Sequence, residues 1–210
     1  TTVYIEATAP VSGDTNDSPS ELIIYENDIG QIIAPNEYGL IEPNKLLLRL
    51  TNSLEQKLKQ YESWLLKNDE VSDACYVIAI NGKKISPFNG AFVGIPYICQ
   101  ALFGIGDLVT TSDGKMFYQP RSTIHKSNGS PVSVTSFIED NHKKISGILY
   151  SDVDAANRDK PILFIPNPNA ANILPEGLFS FCTSYKFVPK ENGFALITSW
   201  TSLLEDTRPA

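Results

Sequence analysis

Glu6 is the first residue of this 210-residue chain that could do chemistry. It stands in the run Val3-Tyr4-Ile5-Glu6-Ala7-Thr8, whose β-branched and aromatic residues favour a half-buried pleated strand in which a carboxylate is out of place. Alternation along such a strand puts Glu6 and Thr8 on the same side. A carboxylate and a hydroxyl so placed are oxygen donors suited to a hard cation such as Mg²⁺, which keeps several waters of its own. Bound there, the cation would activate water and neutralise charge on a phosphodiester. One carboxylate is too few for the site, and the substitutes nearby, Asp14, Asp17 and Asp28, fall in segments of loop composition. The same residue has a plain structural reading: Glu6 is one half of an ion pair with Arg49 or Lys57 across a helix–sheet contact, without catalysis.

The basic partners come from the stretch after Pro43-Asn44. Leu47, Leu50, Leu54, Leu58, Tyr61 and Leu65 recur at steps of three and four, which predicts a helix over 45–67 with Asn44 as its N-cap and one apolar stripe. Beside that stripe runs a second row, Arg49, Ser53, Lys57, Gln60 and Trp64. Residues bordering the buried face of a helix can reach over a sheet, so Lys57 is the residue to pair with Glu6. Next, 74–81 (Ala-Cys-Tyr-Val-Ile-Ala-Ile-Asn) is continuously apolar, the mark of a strand covered on both faces. Strand, long helix and buried strand are the order of a βαβ crossover.

The remaining punctuation predicts a loop over 11–19, a hairpin over 21–34, and a short helix over 95–103 stopped by Gly104 and Gly106. Further strands are expected around 115–119, 122–125, 145–151 and 162–165, with apolar runs over 178–188 and 193–200; the stretch 132–140 reads as strand or short helix. Asn128-Gly129 and Asn167-Pro168-Asn169 read as turns.

The strand of Glu6 and Thr8, the helix bearing Lys57 and the strand ending at Ile80-Asn81 resemble the core of the PD-(D/E)XK, or restriction-endonuclease-like, nuclease superfamily in a divergent form. Residues 5–10, 49–61, 76–81, 145–151 and 164–175 are also similar to an uncharacterised bacterial group of nuclease-like proteins. The resemblance implies an α/β fold with a mixed β-sheet flanked by helices, a restriction-endonuclease-like core carrying extra β-strands in its second half. It implies Mg²⁺-dependent hydrolysis of nucleic-acid phosphodiester bonds. In the superfamily an Asp and a Glu on adjacent strands hold the metal, and a Lys two residues after the Glu assists the attacking water. Here Thr8 occupies the lysine position; variant members carry the lysine on the following helix, which points to Lys57. The implied site is therefore Glu6 as metal ligand, Glu6, Thr8 and Lys57 as catalytic residues, and Arg49, Gln60, Lys83 and Lys84 as contacts to the nucleic acid. The family's Asp strand would lie before Glu6, where this sequence has no residues. A noncatalytic binding or interaction module on the same fold is the competing expectation.

Composition bounds both readings. With 42% hydrophobic residues, the chain is expected to form one α/β domain over 1–210, part of a longer polypeptide. A net charge of −7 and a pI near 4.8 weigh against a nonspecific DNA binder and require any nucleic-acid site to be a local basic patch. Cys75, Cys99 and Cys182 lie in apolar surroundings and read as buried thiols of a reducing, cytoplasmic compartment. His125 and His142, both in polar segments expected to be exposed, do not share metal-ligand spacing with any cysteine. No run is long and apolar enough for a bilayer, so no membrane partner is expected. Ser146-Gly147 lacks the glycine two positions before the serine that a nucleophile elbow requires.

Overall fold

The computed structural model describes residues 1–10, 43–68, 73–85, 91–92, 95–153, 161–190 and 193–199. The expected loop over 11–19, the hairpin over 21–34 and the candidate acids Asp14, Asp17 and Asp28 lie outside the described residues. The protein is a mixed α/β structure. Its strands are β1 (Val3–Thr8), β2 (Cys75–Asn81), β3 (Ala91–Phe92), β4 (Ile95–Pro96), β5 (Ile105–Thr110), β6 (Met116–Pro120), β7 (Thr123–His125), β8 (Pro131–Ser133), β9 (Gly147–Ser151), β10 (Leu163–Pro166), β11 (Thr183–Lys190) and β12 (Gly193–Ser199). Two α-helices, α1 (Pro43–Leu65) and α2 (Tyr97–Phe103), and a short 3₁₀ turn (Asp140–His142) complete the described elements.

Six strands form one mixed sheet in the order β1-β2-β9-β10-β11-β12. β1, β2 and β9 run parallel, β10 reverses against β9, β11 runs parallel to β10, and β12 returns antiparallel to β11. Two parallel neighbours need a crossover, and α1 supplies it between β1 and β2, giving the expected βαβ order. In register, Tyr4 lies opposite Tyr76 and Glu6 opposite Ile78. The short pairs β3–β4, β5–β6 and β7–β8 are separate antiparallel hairpins.

α1 buries its leucine stripe: Leu47, Leu50 and Leu54 are fully buried, and Leu58 and Tyr61 nearly so. Each such side chain contributes roughly 1.5–3 kcal/mol of burial, so the stripe fixes the helix on the sheet. α1 also packs against α2, β7 and β8, and Leu46, Leu48, Arg49, Thr51 and Ser53 in its N-terminal half are buried as well. Thr51 turns its hydroxyl inward onto the Leu47 and Leu48 carbonyls at 2.9 and 3.1 Å. The helix already includes Pro43, so Asn44 lies inside its first turn; its Oδ1 accepts from Arg121 at 3.3 Å. At the other end Asn68 Nδ2 donates to the Trp64 carbonyl at 2.9 Å, closing the helix slightly earlier than 67. α2 starts after Pro96 and stops at Gly104, whose φ of 61° is left-handed; a Cβ there would sit 2.8 Å from the Arg121 carbonyl oxygen.

The two faces of β2 differ. Tyr76, Ile78 and Ile80 face α1 and α2 within the main core. Val77, on the other side, packs with Phe179, Cys182, Phe164 and Leu174. Both described helices thus cover the same face, and the second face of this continuously apolar strand is covered by the nonhelical segment that includes Phe179 and Cys182. Apolarity on two sides requires cover, and among the described residues side chains from an irregular segment supply it on the second face. Cys75, Cys99 and Cys182 are buried free thiols, and burial pushes the Cys99 thiol well above its usual range. Among the described residues no helix is long and apolar enough to cross a membrane.

Candidate functional site

Glu6 sits on the α1-facing side of β1, the outermost of the described strands, where alternation also brings Tyr4 and Thr8. Lys57 descends from α1 and donates from Nζ to Glu6 Oε1 at 2.8 Å. The second oxygen, Oε2, accepts from the Tyr76 hydroxyl at 2.6 Å, with the Lys57 carbonyl oxygen 3.3 Å from the same hydroxyl as a weaker acceptor. Tyr76 lies on β2 diagonally across from Glu6, so strand pairing itself sets this contact. Lys57 also donates to Gln60 Oε1 at 2.9 Å. The Lys57 side chain is 19% exposed and that of Glu6 35%, so the pair lies at the rim of the helix–sheet seam.

Two opposed effects act on the Glu6 carboxyl. Burial raises its pKa, while hydrogen bonds from Lys57 and Tyr76 and the charge of Lys57 lower it; the net direction is down. Tyr76 is driven the other way, first by burial and then by the carboxylate it donates to, so its phenol stays protonated at any physiological pH. The result is a carboxylate held ionised, oriented by one ammonium and one phenol.

Aromatic rings surround it. Tyr61 stacks on Tyr76 with centroids 3.9 Å apart and planes 3° from parallel. Trp64 lies 5.9 Å from Tyr61, inclined by 27°, and meets Tyr4 edge-on at 5.0 Å. Tyr4, Glu6, Gln60, Tyr61, Trp64 and Tyr76 line an open cavity of about 350 Å³.

The structure therefore brings together Glu6, Lys57 and Gln60. Thr8 shares the face of Glu6, one alternation further along. Arg49 is buried eight residues before Lys57, about 12 Å along the helix, so the expected ion pair of Glu6 forms with Lys57 and Arg49 does not line the cavity. Lys83 and Lys84 follow β2 in a turn where the Lys83 amide donates to Asn81 Oδ1 at 3.0 Å. That turn lies past the Thr8 end of β1, while the cavity opens at the Tyr4 end. The substrate-contact role expected of Arg49, Lys83 and Lys84 has no geometric support at this cavity. Two residues were not legible as site members. Tyr76 is hidden in an apolar run, where the one signal was that a buried tyrosine hydroxyl needs a partner. Trp64 stood in the basic row without its aromatic role.

One further expectation changes. His142 is buried, not exposed: its Nε2 lies 2.8 Å from Glu55 Oε1 on α1, and its backbone oxygen accepts from Asn167 Nδ2 at 3.1 Å. Asn167-Pro168-Asn169 is a turn whose side chains also clamp neighbours, with Asn167 donating to the Ile145 carbonyl and Asn169 to the Phe137 carbonyl. Ser146 is a buried bracket whose hydroxyl donates to the Asn172 carbonyl at 2.6 Å and accepts from the Tyr76 amide at 3.1 Å. Among the described residues no three His, Cys, Asp or Glu side chains cluster as a metal site.

Neither a protein-family model, nor a curated protein, nor a solved structure matches this chain.

Proposed function

We propose that this chain is a divergent restriction-endonuclease-like protein whose Glu6–Lys57 pair belongs to a phosphodiester-hydrolysing site for nucleic acid. One observation carries the reading: across a single βαβ crossover, the lysine that would replace the missing strand lysine donates directly to the carboxylate at 2.8 Å. Lys57 has three ammonium protons, of which one serves Glu6 and one Gln60, so a third remains for a phosphate oxygen. Tyr76 fixes the carboxylate plane, and its protonated phenol is a donor that does not compete as a base.

The donor set suits Mg²⁺ only in a substrate-assisted form. Each Glu6 oxygen accepts one hydrogen bond and keeps further lone-pair capacity, and Mg²⁺ is commonly held by one or two carboxylates, waters and the substrate's own phosphates. Glu6 would hold the ion, which when bound supplies water activation and neutralisation of phosphodiester charge. Among the described residues Glu6 is the one carboxylate that lines the cavity, so the second carboxylate implied by the resemblance is not supplied there.

A second reading, a noncatalytic binding or interaction module on the same fold, is favoured by the same geometry seen from the other side. Lys57 and Tyr76 already engage both oxygens, as in a structural ion pair. Cleavage of single-stranded and duplex DNA and RNA with and without Mg²⁺ or Mn²⁺ separates the two. Metal-dependent cleavage abolished by both Glu6→Ala and Lys57→Ala is expected; cleavage that persists in both variants overturns the assignment. Calorimetry that detects no metal binding at millimolar concentration favours the module.

A further inference from the structure

We infer that the aromatic cavity beside Glu6 continues into a track for single-stranded nucleic acid, with a base against the Trp64 indole and neighbouring phosphates on Lys59 and Lys67. This deepens the nuclease-like reading by naming the form of its substrate. A second open depression of about 380 Å³, lined by Lys59, Ser63 and Lys67, shares Gln60 and Trp64 with the first, so the two form one groove along the outer side of α1. Trp64 is 36% exposed, yet Tyr4 and Tyr61 hold it from beneath. A large indole kept rigid and open to solvent offers a stacking platform at little ordering cost.

Charge points the same way. Lys59 and Ser63 stand one turn apart on α1, and Lys67 follows in the turn just past the end of the helix, where its amide donates to the Trp64 carbonyl at 3.0 Å; all three line the same depression. The acids bordering this strip are occupied: Glu62 by Lys144 at 2.8 Å, Glu6 by Lys57 at 2.8 Å and Glu55 by His142 at 2.8 Å. Among the described residues Lys59 and Lys67 take part in no ion pair. On a chain of net charge −7, Lys59 and Lys67 beside an exposed indole form a local site for a phosphate chain, with Lys59 also in the field of Glu55 one turn before it, while the rest of the surface repels such a chain. A paired duplex keeps its bases stacked inside and out of reach of the indole, whereas a single strand can lay one down.

The test is fluorescence anisotropy on the intact chain, in EDTA so that cleavage cannot run, with a labelled DNA strand, an RNA strand of the same sequence and the duplex. Binding of either single strand at least about tenfold tighter than the duplex is expected. Trp64→Leu should weaken it about tenfold. Lys59→Gln with Lys67→Gln should reduce the slope of log affinity against log salt by about 1.4, without shifting the unfolding transition of these exposed positions. Equal affinity for the duplex, no binding of either strand, or an unchanged affinity and slope in the lysine variant overturns the track. The two proposals fail separately: strand binding without cleavage on adding Mg²⁺ overturns the nuclease reading alone, and cleavage without the single-strand preference overturns the track alone.

Discussion

Replacing Lys57 by Met keeps the aliphatic stem on the seam and removes the one cation on Glu6. Because the Glu6 side chain is 35% exposed, water screens the pair, and its coupling measured in a double-mutant cycle with Glu6→Gln should be about 0.5–1 kcal/mol rather than the several expected of a fully buried pair. The pH dependence carries more information. The Glu6 carboxyl is lowered in the folded protein below its ordinary 4.5, so its stabilisation is fully present above that value and is lost as pH falls through the lowered one. In Lys57→Met, burial raises the carboxyl against a single opposing hydrogen bond from Tyr76, so the acid loss assigned to Glu6 shrinks. Glu55, lowered chiefly by its hydrogen bond to His142, adds its own acid loss equally in both proteins and cancels in the difference. Urea unfolding followed by circular dichroism from pH 7 to pH 3 measures both quantities. A coupling indistinguishable from zero, or acid limbs that superimpose, would refute the argument that Lys57 holds this carboxylate ionised.

Two substitutions test the scaffold around the site. Ser146→Ala should cost about 1–3 kcal/mol in urea unfolding by leaving the buried Tyr76 amide without its acceptor, while any nuclease activity per folded molecule is retained; loss of activity without loss of stability would refute the purely structural role. Gly82→Ala would put a Cβ 2.2 Å from the Tyr150 hydroxyl and 2.7 Å from its ring, so a destabilisation of about 1–3 kcal/mol is expected by thermal unfolding, and an unchanged midpoint would show that the ring can move.

How far the sequence reaches is clearest along α1. Its leucine spacing dictated a helix and its buried stripe, because only a 3.6-residue period puts those side chains on one face. The neighbouring row was legible as a row but not in its fate. Arg49 and Lys57 belong to it equally by spacing, yet the first is buried in the core while the second reaches Glu6 on β1. Periodicity fixes the angular position of a residue on its own helix and says nothing of which element will close over it.

The same division holds for the candidate site. The alternation in Val3–Thr8 and the order of strand, helix and strand were enough to bring Glu6 against the row of α1 that carries Arg49 and Lys57. The choice of Lys57 over Arg49, the phenol of Tyr76 on the other carboxylate oxygen, the tilt of Trp64 over Tyr4 and Tyr61, and the displacement of Lys83 and Lys84 to the far end of the strands were decided by tertiary structure. Those contacts join residues distant in sequence through the register of parallel strands and the height of a helix above the sheet. Local patterning specifies each element and its buried face; packing between elements selects which side chains meet.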